Sequence, residues 1–286
     1  MQYRLLLCFV LLYSIIACSE ISNTNSLSIK NNIDPERAAK FNLQLGLGYL
    51  EQGDVERAKG KLLRAYEQAP KSPEVHYNIA HFYYLIDENA TADYHFKQAI
   101  YYSHHNNNSV LGTAYNNYGV FLCQTKRYKE ADQNFQLAIA DLQYADTSSA
   151  YENAGLCALK TGDKQQAQAY FEKALKTNPL STKALIEVSD LYTNNEDYDK
   201  AKIYLDRYTR IASENKRSLL LALKLAKLQN DQSNYDDLTS RLLTKYPDPD
   251  TKQYIEYMQS YSSIDKSLHS SKLVKYTDIG KLKNIG

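Results

Sequence analysis

A chain of 286 residues that sets 34 Lys and Arg against 33 Asp and Glu has a formal net charge of +1, too even a balance for the electrostatic footprint of a nucleic-acid binder. With 26 Tyr, no Trp, 10 Gly and 6 Pro, it holds few helix breakers, and its Ala, Leu, Lys, Gln and Glu favour helices over a β fold. The length suits one or two ordinary domains or one array of small repeats.

Met1 to Arg4 carries one positive side chain, and Leu5 to Ala17 is almost wholly apolar. That stretch would span about 20 Å as a helix, short of the ~30 Å hydrocarbon core. Residues 1–17 therefore read as a signal peptide rather than a membrane span. They lead into Ile15-Ile16-Ala17-Cys18, which resembles a bacterial lipobox, where a small residue precedes a Cys that is acylated and becomes the first mature residue. Cys18 is the expected lipidation site; the alternative is an ordinary secretory signal with an incidental Cys. Ser19 follows it. By analogy with lipoproteins, the absence of Asp there permits sorting to the outer membrane, where acyl chains anchor a protein without a transmembrane helix. Residues 18–38, rich in Ser and Asn from Ile21 to Asn32, read as the lipidated Cys and a flexible tether.

From Ala39 a period emerges. Five times a small residue is followed twelve positions later by Ala: Gly46 and Ala58, Ala80 and Ala92, Gly119 and Ala131, Gly155 and Ala167, Ser189 and Ala201. Successive first members are 34, 39, 36 and 34 residues apart. Four residues after each Ala stands a large apolar side chain: Leu62, Phe96, Phe135, Phe171 and Leu205. This pattern predicts an all-α tetratricopeptide-repeat superhelix of about six helix-turn-helix units over residues 39–247. Small residues belong where two helices cross closely, and Gly53-Asp54 and Gly162-Asp163 supply turns. The polar run His104 to Ser109 reads as an inserted loop. A sixth, degenerate unit is expected from Lys216 to Pro247, as terminal repeats of a solenoid are atypical. Residues 248–286 form a C-terminal extension, with a short capping helix from Tyr254 to Tyr261 and a loose end.

No constellation carries catalysis. Gly46 and Gly48 open like a nucleotide fingerprint, but Glu51 holds the third glycine's place and no strand precedes it. His76, His81, His95, His104 and His105 cluster in and after the second unit without metal-ligand spacing. No metal site, no cofactor, no small-molecule substrate and no enzyme activity are expected. Cys8 leaves with the signal peptide, so Cys123 and Cys157 remain, on first helices of adjacent units and within two positions of each other in the repeat frame. In an oxidising compartment they are expected to form a disulfide; the alternative is two buried thiols packing as small apolar groups.

First helices of such an array line a groove. By position its candidates are Leu43, Leu47, Leu50, Tyr77, His81, Tyr84, Asn116, Val120, Glu152, Leu156 and Asp190, about half of them expected to pack between helices instead. Leu43 and Leu47 stand where a clamp for a partner's terminal carboxylate would need polar groups. The groove therefore suits an amphipathic or extended apolar segment.

Three strings resemble the type IV pilus biogenesis lipoproteins of the PilF or PilW family: Leu45-Gly46-Leu47-Gly48-Tyr49-Leu50-Glu51-Gln52-Gly53-Asp54, Asn116-Asn117-Tyr118-Gly119-Val120-Phe121-Leu122-Cys123 and Glu152-Asn153-Ala154-Gly155-Leu156-Cys157-Ala158-Leu159. Arg217-Ser218-Leu219-Leu220-Leu221 and Lys245-Tyr246-Pro247 are similar to later segments of that family. The resemblance covers Gln44 to Pro247 and implies a pilotin: a protein, lipid-anchored in the outer membrane and facing the periplasm, that binds the pilus secretin and helps its subunits reach that membrane and form their multimeric pore. Two alternatives stand beside it. A repeat lipoprotein of β-barrel assembly or envelope maintenance would share fold and location, and a metal-dependent envelope hydrolase would use the histidines.

Overall fold

The computed structural model describes residues 34–105 and 110–261. Cys18, the signal peptide, most of the tether and the chain after Tyr261 lie outside them. The described residues hold thirteen helices and no strand, and they fall into two units divided after Pro70.

The first unit is a single hairpin of α1 (Pro35–Glu51) and α2 (Val55–Gln68). Helix α1 starts four residues before the expected Ala39, because Asp34 accepts a hydrogen bond from the Glu36 amide and Pro35 fits the first turn. Within the hairpin, a Cβ on Gly46 would lie 2.8 Å from Leu62 Cγ, so the close crossing demands the missing side chain.

The second unit runs α3 (Pro73–Leu85), α4 (Asn89–His105), α5 (Leu111–Gln124), α6 (Tyr128–Ala140), α7 (Thr147–Thr161), α8 (Lys164–Thr177), α9 (Thr182–Asn194), α10 (Tyr198–Ile211), α11 (Lys216–Leu228), α12 (Gln232–Lys245) and α13 (Pro249–Ser260). Its helices from α3 to α12 pair as antiparallel hairpins, the tetratricopeptide architecture the period predicts. Each hairpin closes alike. One residue takes the left-handed conformation, and the next donates its amide to a carbonyl five residues back: Glu88 to Tyr83, Arg127 to Leu122, Asp163 to Ala158, Asp197 to Tyr192 and Asp231 to Ala226. Gly162 takes that conformation freely at φ 83°, whereas Asp87, Lys126, Glu196 and Asn230 take it as residues with a Cβ. Three of the five turns were therefore invisible to any search for glycine or asparagine at a turn but visible as a break in apolar periodicity.

Small meets large throughout. A Cβ on Gly119 would come within 2.7 Å of Phe135, and one on Gly155 within 2.8 Å of Phe171. Ser189, fully buried, satisfies its hydroxyl on the Ala201 carbonyl at 2.8 Å. One apolar core continues from Ala80 to Leu225. A second gathers Leu219, Leu220, Leu223 and Ala226 with Tyr235, Leu238, Leu242, Tyr254, Ile255 and Met258.

Two further boundaries differ from expectation. His104 and His105 lie in the last turn of α4 rather than in a loop. The C-terminal helix begins at Pro249, five residues before Tyr254, because Asp248 caps it by accepting the Thr251 amide at 3.0 Å. Asp248 also pairs with Lys216 at 2.8 Å, which with the cap holds its carboxyl down at about 2. Residues just past 247 thus belong to the ordered stack.

Candidate functional site

In the second unit, α3 packs on α5, α5 on α7 and α9 on α11, while no two successive second helices pack as closely among the described residues. First helices therefore form the unit's inner face. Five side chains occupy the same register on them: His81, Val120, Leu156, Asp190 and Lys224. His81 is exposed, Val120, Leu156 and Asp190 are half-buried, and Lys224 is buried. Tyr77 and Tyr84 are also half-buried, with Tyr84 edge-on to Phe121 at 5.6 Å and Tyr77 tilted on Phe96 at 6.2 Å. Burial pushes the Tyr77 phenol up. These residues offer apolar area with polar tips, a composition suited to contact surfaces.

Three expected groove residues are instead committed to the fold. Asn116 is buried and accepts the Asn153 side-chain amide at 3.1 Å. Glu152 is buried, accepts Ser181 Oγ at 2.6 Å and pairs with Lys183 at 3.4 Å. A buried carboxylate must be bonded in this way to be tolerated. Leu43, in the first unit, is only 3% exposed. Leu47 and Leu50 are half-buried on α1 of that unit.

Sequence reasoning placed Asp190 in the groove but missed the charged residues around it. Arg217 donates to both carboxylate oxygens of Glu187, at 2.6 and 2.7 Å. Burial opposes its charge, but that fork holds the guanidinium up. Lys224 donates to Asn194 at 2.8 Å; burial pushes its pKa down, against the pull of Asp190. Asp190 itself is pushed up by burial, with Lys224 and Arg217 opposing. A repeat frame extended into the degenerate sixth unit would have placed Lys224 beside Asp190, since both follow the same crossing position 34 residues apart.

Cys123 and Cys157 are bonded across α5 and α7, with Cα atoms 5.9 Å apart. No group of three or more His, Cys, Asp or Glu that could hold a metal occurs among the described residues. The histidines do something else: His76 and His95, both buried, face each other Nδ1 to Nδ1 at 2.9 Å. One ring must donate and the other accept, so at least one of the two is neutral. His95, depressed to about 4 by burial and by His76, folds with a pKa below its unfolded value near 6.5. The stability this pair contributes is complete above pH ~6.5 and is lost as pH falls through 4. Melting at pH 7.5 and 4.5 is expected to show a loss on the order of 2 kcal/mol from this pair. A His76→Leu, His95→Leu double variant should flatten that slope, and an unchanged slope would remove the pair as its cause.

An all-α stack of this kind, with an inner face left half-exposed, is a protein-binding scaffold of the tetratricopeptide-repeat class. Tetratricopeptide-repeat profiles match residues 43–100, 110–179 and 158–225. The type IV pilus assembly protein PilF of Pseudomonas aeruginosa is 35% identical over 247 residues, spanning 86% of this chain and 95% of that protein. The chain belongs to the PilF family of type IV pilus assembly proteins. The solved structure of Pseudomonas aeruginosa PilF is 33% identical, with a TM-score of 0.67 over 79% of this chain and 98% of that one. PilW, described as a widely conserved type IV pilus biogenesis factor, shares the fold at a TM-score of 0.65 and 24% identity, covering 78% of this chain and 98% of that one. No helix among the described residues is long and apolar enough to cross a membrane.

Proposed function

We propose that this chain is a pilotin: an outer-membrane lipoprotein, anchored through Cys18 and facing the periplasm, that binds the type IV pilus secretin and promotes its multimer assembly. The observation that carries this reading is the 35% identity across 86% of the chain to a type IV pilus assembly protein. The inner face agrees with a binding role, since Tyr77, Tyr84, Val120 and Leu156 stay half-exposed on helices whose other faces are packed. The work is done by binding, without catalysis or a cofactor. Acyl chains fix the stack to the membrane, and the inner face holds secretin subunits there while they oligomerise. Neither nucleic acid nor a small-molecule substrate takes part.

The test is an immunoblot of secretin multimers in outer membranes from wild-type cells, a deletion strain and a Cys18→Ala strain. Loss of multimers on deletion, with mislocalised or partial assembly in Cys18→Ala, is the expected result. Normal outer-membrane multimers without the protein would overturn the pilotin role and leave a repeat scaffold with another partner.

A further inference from the structure

The inner face of the second unit changes chemistry along its length. Val120 on α5 and Leu156 on α7 give two half-exposed apolar positions. The next place in the same register is Asp190 on α9, and the one after is Lys224 on α11. Asp190 is walled in enough for its carboxyl to be pushed up, yet it accepts no hydrogen bond and forms no ion pair among the described residues. The bases near it are held elsewhere. Both terminal nitrogens of Arg217 donate to Glu187, and Lys224 donates to the neutral Asn194 side chain. A carboxylate desolvated without a partner is costly, and here it stands beside an ammonium that also lacks a carboxylate partner. The result is a fixed dipole, negative at α9 and positive at α11, next to an apolar floor.

Resting on the reading that this face takes a segment of a partner protein, we propose that its occupant is an extended stretch whose side chains run apolar, apolar, basic, acidic along the inner face. The apolar pair covers Val120 and Leu156, the basic group meets Asp190, and the acidic group meets Lys224. A wholly basic stretch would meet Lys224 with like charge, and a wholly acidic one would meet Asp190. Only this order complements both, and order is a property that net charge cannot mimic. Neighbouring helix axes lie about 10 Å apart, and a chain extended as polyproline II advances ~3.1 Å per residue with every third side chain on one face, so successive contacts fall about three residues apart.

The test uses two labelled peptides of identical composition, Leu-Ser-Ser-Leu-Ser-Ser-Lys-Ser-Ser-Glu and the same chain with Lys and Glu exchanged. Both are titrated by fluorescence anisotropy against the purified full-length protein in detergent. The first is expected to bind at least about fivefold more tightly at low salt, with the gap narrowing as salt rises. Asp190→Asn with Lys224→Gln should bind both peptides equally, and Asp190→Lys with Lys224→Asp should reverse the preference, each variant melting cooperatively. A pair with a merely structural role would weaken both peptides alike. Equal binding to the wild type, preference for the exchanged peptide, or binding of neither overturns the proposal. Those outcomes are separable from the pilotin role itself. Secretin multimers lost on deletion alongside indifference to peptide order would sink this inference and leave that role standing.

Discussion

Replacing Gly155 with valine is expected to destabilise the repeat stack by about 3 kcal/mol or more, the upper range for overpacking a core. The first atom added would lie 2.8 Å from Phe171 Cε1, 2.9 Å from Cζ and 3.0 Å from Cδ1, and Phe171 is fully buried in the continuous core. The ring cannot withdraw without opening a gap beside Ala174 and Leu185, which are buried in the same core. Gly155→Ala is the informative companion. The second repeat already places Ala80 at the equivalent crossing opposite Phe96, so one carbon is compatible with the architecture. Ala also recovers about 1 kcal/mol of helix propensity. The alanine variant should therefore lose far less than the valine variant in urea denaturation. A valine variant within about 0.5 kcal/mol of wild type would show that the crossing can open.

Cleaving the bond between Cys123 and Cys157 is expected to be the second large effect. The two residues are 34 apart, a loop for which restriction of the unfolded chain contributes about 4 kcal/mol. Reductant should lower the denaturation midpoint by an amount equivalent to that, and the Cys123→Ala, Cys157→Ala variant should show no further response to reductant. Both sulfurs sit in the packed core at 6% and 5% residue exposure, so reduction should be slow in the folded protein and fast once it unfolds. Titration of two free thiols in protein taken from the periplasm would show that the bond does not form there.

Much of the fold was legible because one geometric demand recurs. At Gly46, Gly119, Gly155 and Ser189 a helix must pass within reach of a large side chain sixteen residues on, and this leaves a spaced mark that no tertiary knowledge is needed to find. The sixth hairpin was legible only as a degenerate unit, because Leu223 stands where a small residue would be expected and packs into a separate cluster. The C-terminal helix was misplaced because its start is set by the Asp248 cap and the Lys216 pair, the second of which joins residues far apart in sequence. The site was read less well. Tyr77, Tyr84, Val120 and Leu156 follow from register alone, but whether a polar residue in that register is available depends on its partners. Nothing local distinguishes Glu152, held by Ser181 and Lys183, from Asp190, which has no such bonds.

Helix α11 belongs to two cores at once. Leu221 and Leu225 join the continuous core, while Leu219, Leu220, Leu223 and Ala226 join the cluster built with α12 and α13. It works as a hinge pin between the body of the stack and its tail. If α12 and α13 fray, the pin loses one bearing, and Arg217 and Lys224 ride on it. The geometry that sets Lys224 beside Asp190 is then tuned from outside the inner face, by residues that need touch no partner. In a solenoid whose end opens more readily than its middle, a ligand that needs both charges in place would hold the last hairpin shut, and its departure would let that end breathe.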